Sequence, residues 1–246
     1  MIIAAAQFQS RPGDVDLNIK RHVQFAEVAK RYEADLIVFP ELSLSGYEPS
    51  MGRRVEAEIN DKCFEPIQAC AQKLAIIICA GIPLKTATKP KIGMIICYPG
   101  DRVDSYAKQI LHGDELPFFS AGHRDLMITC GDQSVAPAIC YESVQSVHAE
   151  AASRRGAGTY IASVAKPEGA MRSAFVHYSK MAKQTGMQII LANAVGRSDN
   201  FVSAGQSAAW NSAGECIRIC SRTDEALLIA NFADETAQIV RGPASS

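Results

Sequence analysis

The chain has 246 residues, with 25 basic and 26 acidic side chains and 48% hydrophobic residues. A chain of this size builds a core without disulfide or metal staples, and its balance of apolar and charged residues excludes a disordered polymer. A net charge of −1, with no long run of like charges, excludes a general nucleic-acid footprint and a polybasic membrane patch.

Short apolar, β-rich runs alternate with helical patterns along the chain. Ile2 to Phe8 reads as a buried strand, and Arg11-Pro12-Gly13-Asp14 as a turn. Asp16 is positioned to cap a helix whose apolar face is Ile19, Val23, Ala26 and Ala29. Leu36 to Phe39 is a strand stopped by Pro40. Cys63 to Leu74 reads as helix and Ala75 to Ala80 as strand. Ile92 to Tyr98 and Val103 to Lys108 are two strands joined at Pro99-Gly100-Asp101. His112 to Asp125 is loop-like. Ser134 to Cys140 is a strand, followed by a helix from about Val144 to Arg155. Tyr160 to Val164 is a strand, Arg172 to Thr185 a helix and Met187 to Asn193 a strand. Ala204 to Trp210, Glu215 to Cys220 and Ala226 to Phe232 complete the strands, before a frayed Pro243-Ala244-Ser245-Ser246. With no repeat and no Pro/Gly/Ser-rich linker, residues 1–246 are expected to form one α/β domain of about a dozen strands with helices covering the sheets.

The most apolar stretch, Leu74 to Leu84, is interrupted by Gly81 and Pro83 and falls short of the ~18 residues a spanning helix needs. The first residues lack a basic region before their apolar run, so no signal peptide is read, and a cytoplasmic address is the expectation. Most of the eight cysteines lie in apolar runs, as in Ile76-Ile77-Ile78-Cys79, and read as small buried hydrophobes with free thiols. No C-x-x-C, no H-E-x-x-H and no glycine-rich phosphate loop occurs, so no metal or nucleotide cofactor is expected.

Three strands end in a reactive residue. Leu36-Ile37-Val38-Phe39-Pro40 leads to Glu41, Val103-Asp104-Ser105-Tyr106-Ala107 to Lys108, and Val135-Ala136-Pro137-Ala138-Ile139 to Cys140. Ligand sites in α/β sheets gather beyond the carboxyl ends of strands. Singly, each residue has an ordinary reading: a loop acid, a surface charge, an inert buried thiol. Together they compose a covalent hydrolytic site with a thiol nucleophile, a carboxylate base and an ammonium for the oxyanion.

The contexts of these residues resemble the nitrilase superfamily, the carbon–nitrogen hydrolases. Ala34 to Tyr47, reading ADLIVFPELSLSGY, is similar to the family's segment around its catalytic glutamate. Tyr106-Ala107-Lys108 with Leu111, His112 and Glu115 resembles its lysine segment, and Ile139-Cys140-Tyr141-Glu142 its cysteine elbow. Leu191 to Gly196, Gly205-Gln206-Ser207 and Asn211 to Glu215 resemble its C-terminal segments. The resemblance implies a four-layer αββα sandwich, assembled as a homodimer or larger, and an amide-type small-molecule substrate. It makes Glu41 the general base, Lys108 the oxyanion-side cation and Cys140 the nucleophile, with no cofactor. Glu115 matches a second glutamate that holds the lysine or positions the substrate amine, and its alternative is a loop acid. The backbone N–H of Tyr141 would join Lys108 at the oxyanion. Arg172 is the candidate for gripping a distal substrate carboxylate, and a solvated helix-face charge is its alternative.

The chain also departs from the family. Glu142-Ser143-Val144-Gln145 lacks the arginine that grips carbamoyl amino acids, and Met181-Ala182-Lys183-Gln184-Thr185 replaces a family Arg-Ala-x-Glu-Asn motif. The leading expectation is hydrolysis of a small linear carboxamide to acid and ammonia through a thioester. A true nitrilase or carbamoyl-compound hydrolase on the same three residues, and a catalytically idle binding or scaffold relative, are the alternatives. A serine-hydrolase reading of Gly205-Gln206-Ser207-Ala208-Ala209 fails because G-x-S-x-G is not completed.

Overall fold

A computed structural model describes residues 1–243. In chain order its elements are β1 (Ile2–Gln7), α1 (Val15–Arg31), β2 (Leu36–Val38), α2 (Glu65–Leu74), β3 (Ile77–Leu84), β4 (Lys91–Cys97) and β5 (Val103–Ala107). There follow β6 (Ile128–Cys130), β7 (Gln133–Ile139), α3 (Ser146–Arg154), β8 (Thr159–Val164), α4 (Glu168–Thr185) and β9 (Gln188–Asn193). The remainder is β10 (Val195–Ser198), β11 (Phe201–Ala204), β12 (Ala208–Trp210), β13 (Cys216–Ile219), β14 (Ala226–Asn231) and β15 (Thr236–Arg241).

Thirteen strands form two sheets, a seven-stranded one ordered β15-β14-β1-β2-β3-β4-β5 and a six-stranded one ordered β13-β12-β9-β8-β7-β6; β10 and β11 make a separate hairpin. At the centre of each sheet lie parallel pairs, β1 with β2 and β2 with β3 in one, β7 with β8 and β8 with β9 in the other. Parallel neighbours carry their ligand-facing ends on the same side, which brings the ends of β2, β7 and β8 to a common edge.

Alternation along each strand builds three apolar layers. Ile3, Ala5, Leu36 and Val38 of the first sheet share a core with Val135, Ile139, Ile161 and Ile190 of the second. Their alternates Ala4, Ala6 and Ile37 pack with Phe25 and Ala26 of α1 and Ile67 of α2. On the far face, Ala136, Ala138, Tyr160 and Ile189 pack with Ala149 of α3 and Tyr178 and Met181 of α4. The architecture is the four-layer αββα sandwich, and its central core is shared by both sheets.

Several local expectations shift. Asp14 caps α1 instead of Asp16, its side chain accepting from Leu17 N at 3.1 Å. Asp16 lies in the first turn, where its charge suits the helix dipole. The buried face of α1 runs through Asn18, Ile19, His22, Phe25, Ala26 and Ala29, and Val23 flanks it. Ala75 is the left-handed cap of α2 (φ 49°), so β3 starts at Ile77. It runs on through Pro83, beyond Cys79 where its pairing with β2 stops; there Ala57 N donates to Pro83 O at 3.0 Å, a contact that needs no N–H from the proline. The sequence reading misses β6, the β10–β11 hairpin and β15, which is mostly exposed and so shows little apolar signal. The expected fraying of the last four residues falls, after Pro243, outside the described residues.

Cys70, Cys79, Cys97, Cys130 and Cys220 are buried, Cys63 and Cys140 partly so, Cys216 is exposed, and all eight are free thiols. No described helix is long and apolar enough to cross a membrane.

Candidate active site

Glu41 follows β2 in a turn pressed against β3. Leu42 there has φ 51°, and a Cβ added to Gly81 would lie 2.4 Å from Leu42 N, so only glycine lets the turn approach. Gly81 N donates to Ser43 Oγ at 3.2 Å, and Leu44 N donates to Gly81 O at 2.8 Å. From the opposite sheet, Ser163 Oγ donates to Phe39 O at 2.7 Å. The carboxylate is thus fixed by backbone contacts to both sheets.

Lys108 follows β5 and is fully buried. Its Nζ donates to Glu41 Oε1 at 2.8 Å and to Glu115 Oε1 at 2.6 Å. Glu115 is itself held by Tyr47 OH, donating to Oε1 at 3.1 Å, and by His112 N, donating to Oε2 at 2.8 Å. Two carboxylates on one ammonium satisfy a charge that burial alone would make costly. Burial opposes the Lys108 charge, but Glu41, Cys140 and Glu115 outweigh it and hold its pKa above the ordinary lysine range.

Burial pushes the Glu41 carboxyl up to about 7, against the pull of Lys108 and with the help of Glu115. While Oε1 is engaged by Lys108, Oε2 is buried with no hydrogen-bond partner of ordinary geometry. The Cys140 thiol beside it favours the charged carboxylate. A carboxylate with one oxygen tethered and the other open beside a thiol is arranged to take its proton.

Cys140 follows β7 on a left-handed backbone (φ 48°) and begins a 3-10 turn over Cys140–Val144. A cysteine held there is strained, and the surroundings must fix it. Glu142 supplies that: its Oε1 accepts from Ile139 N (2.8 Å) and Tyr106 OH (2.8 Å), its Oε2 from Gln109 N (2.6 Å) and Ile110 N (3.2 Å). One carboxylate thereby ties the elbow to the backbone immediately after Lys108. Tyr106 OH also meets His148 Nε2 at 2.9 Å, and His148 Nδ1 meets Tyr160 OH at 2.7 Å. Burial and the Glu41 charge push the Cys140 thiol up to about 11, with Lys166 and Lys108 pulling the other way. The Cys140 thiol is therefore neutral at pH 7.

Cys140 opens on a cavity of about 460 Å³ lined by Tyr47, Glu115, Tyr141, Lys166 and Phe201 among others. A larger hollow of about 700 Å³ between Ser221 and Pro243 holds none of these groups. Tyr141 N is at the second position of the 3-10 turn, where an N–H has no intrahelical acceptor. Of the residues singled out in the sequence, Glu41, Lys108, Glu115, Cys140 and Tyr141 come together. Arg172 does not: it is exposed on α4 and lines no part of this cavity.

Lys166 was not anticipated. It follows β8 as the earlier three residues follow their strands, so the same pattern applied to Thr159–Val164 would have found it. The elbow network of Tyr106, His148 and Tyr160 carries no linear signal, being assembled from three elements. Among the described residues no cluster of His, Cys, Asp or Glu is placed to hold a metal ion.

A family model for carbon-nitrogen hydrolases matches residues 2–241, and the chain belongs to that family. It is 28% identical over 225 residues to a glutamine-dependent NAD(+) synthetase of Acinetobacter baylyi, covering 87% of this chain and 40% of that protein. A second such synthetase, from Thermotoga maritima, is 24% identical over 94% of this chain and 42% of its own length. The chain thus spans about two fifths of these relatives. The hydrolase in the pqqF 5′ region of Pseudomonas protegens is 29% identical, over 94% of this chain and 82% of that one. Among solved structures, the amidase from Nesterenkonia sp. AN1, in a variant complexed with butyramide, superposes with a TM-score of 0.87 at 24% identity, over 96% of this chain and 92% of that one. That likeness establishes the carbon–nitrogen hydrolase fold.

Proposed function

We propose that this protein hydrolyses a small linear carboxamide to the carboxylic acid and ammonia through a thioester on Cys140. The observation that carries the reading is Glu41, with Oε1 on Lys108 and Oε2 free, beside the thiol that opens on the cavity. Glu41 takes the thiol proton as Sγ attacks the amide carbonyl carbon. The oxyanion forms between Lys108 Nζ and Tyr141 N–H, donors already in place before charge develops. Protonated Glu41 passes its proton to the departing nitrogen, and ammonia leaves as the C–N bond breaks. Water then attacks the thioester, Glu41 takes its proton, and the acid and free thiol are released. Glu115 holds Lys108 rather than meeting the reacting atoms. Residues 1–246 act in this reading as one catalytic domain, and no step calls for a cofactor.

Ammonia release from neutral short amides, half-amides of dicarboxylic acids, glutamine, carbamoyl amino acids and aliphatic nitriles is the test. Glutamine belongs in it because the related synthetases are glutamine-dependent. Turnover of amides, lost in Cys140→Ala, with an acyl adduct on Cys140 found by mass spectrometry, is the expected result. Turnover of nitriles or carbamoyl compounds alone would replace the amide assignment. No turnover and no adduct would favour a binding or scaffold role.

A further inference from the structure

Lys166 is the lysine that lines the cavity, and its surroundings differ from those of the fully buried Lys108. Its backbone is clamped: Lys166 N donates to Asn193 Oδ1 at 2.8 Å, while Lys166 O accepts from Asn193 Nδ2 at 3.2 Å and from Ala204 N at 2.9 Å. The residue is only 8% exposed and lines the cavity beside Cys140. Its neighbour Ala165 contributes the carbonyl oxygen 3.9 Å from Cys140 Sγ. Among the described residues, no carboxylate and no hydrogen-bond acceptor meets the Lys166 ammonium, whereas Lys108 has two carboxylates.

A lysine whose stem is enclosed and whose ammonium meets no acceptor presents its charge to the cavity, where an anion can pair with it. The thiol does not supply it, since it is neutral at rest. Nor do the cavity's own acids. Glu115 is bound to Lys108, and Asp114 pairs at the exposed rim with His112. Lys166 is therefore a cavity-lining lysine whose charge no acid of the cavity meets, and an anionic substituent is directed to it.

We propose that Lys166 binds a carboxylate carried on the acyl part of the substrate, so that the site selects short half-amides of dicarboxylic acids over neutral amides. This deepens the amide-hydrolase reading and rests on it for the identity of the reacting bond. The carboxylate-binding role expected from the sequence for Arg172 passes to Lys166. Charge on the acyl side chain is thereby separated from the oxyanion charge, which remains with Lys108.

The test compares succinamate and glutaramate with the neutral isosteres butyramide and valeramide, for wild type, Lys166→Met and Lys166→Arg. Wild type is expected to favour the half-amides at least tenfold in kcat/KM. Lys166→Met should cut the half-amide value at least ten times more than the neutral one, mainly through KM, and Lys166→Arg should recover part of the preference. A second readout needs no turnover: alkylation of Cys140 by iodoacetate against iodoacetamide, followed by mass spectrometry. The ratio of the two rates should fall several-fold in Lys166→Met and recover in Lys166→Arg. If both alkylation rates and both substrates lose equally, Lys166 acts on the thiol and the proposal is wrong; unchanged ratios overturn it as well. If no amide is turned over, the hydrolase reading fails, while the alkylation ratio still decides whether Lys166 reads charge.

Discussion

In the proposed mechanism, Glu41 concentrates the acid–base chemistry in one side chain. Its carboxyl is pushed up to about 7 by burial, opposed by Lys108. Below that pH it is protonated and unable to take the thiol proton, so kcat/KM should fall about tenfold per pH unit on the acid side and level off above about 7. The thiol, up to about 11, adds no limb at neutral pH. Glu41→Gln keeps the shape and removes the base. It should lower kcat at least a thousandfold and abolish the acid limb of any residual rate; a variant keeping most of its activity would contradict the mechanism. Lys108→Ala should cost on the order of 3 kcal/mol of transition-state stabilisation, as loss of an oxyanion donor does. Glu115→Gln preserves the contacts with Tyr47 and His112 but weakens the hold on Lys108. A drop in kcat of about tenfold with little change in KM is expected, and steady-state kinetics on the same amide separate the cases.

At the scale of elements, the site depends on two approaches of backbone. Glu142 joins the elbow after β7 to the segment after β5 through three backbone N–H groups. Glu142→Ala would leave those donors buried without an acceptor, at about 1–3 kcal/mol each. A loss of at least about 3 kcal/mol in urea unfolding is expected, against a smaller loss for Glu142→Gln. Equal stability of Glu142→Ala and wild type would show that the elbow holds itself. The second approach is Gly81 of β3 against the Glu41 turn. A methyl group at 2.4 Å from Leu42 N and 2.9 Å from Pro40 O forces that turn outward. Gly81→Ala should therefore reduce kcat at least tenfold while the chain still folds, as read by far-ultraviolet circular dichroism beside the amide assay.

For the whole molecule, the shared core between the sheets explains how residues far apart in the chain meet: Glu41 and Lys108, 67 positions apart, touch because β2 and β5 belong to one sheet. The second sheet then delivers Cys140 and Lys166 from the ends of its adjacent parallel strands β7 and β8. We expect the protein to be a homodimer, an assembly implied by its family resemblance, with near-zero net charge offering little electrostatic resistance to self-association. Light scattering at micromolar concentration should report about twice 26.5 kDa, and a monomer mass would refute it.

The sequence by itself determined an α/β domain with helices covering its sheets and singled out Glu41, Lys108 and Cys140 at three strand ends, while the αββα layering was implied by the family its motifs resemble. Strand alternation, turn residues and motif contexts are local properties of a chain, and each lies within a few residues of the side chain it announces. It was weaker where pattern is faint, as in the exposed β15, or where a cap has two nearby candidates, as with Asp14 and Asp16. Only the tertiary structure separated Glu115, which reaches Lys108, from Arg172, which stays on the outer surface of α4. Both are charged residues in plausible places, and their fates depend on how a loop and a helix pack. Lys166 was decided the same way. Its significance lies in the thiol it faces and in the counter-charge it lacks, and both are set by what the two stacked sheets bring around it rather than by its neighbours in the chain.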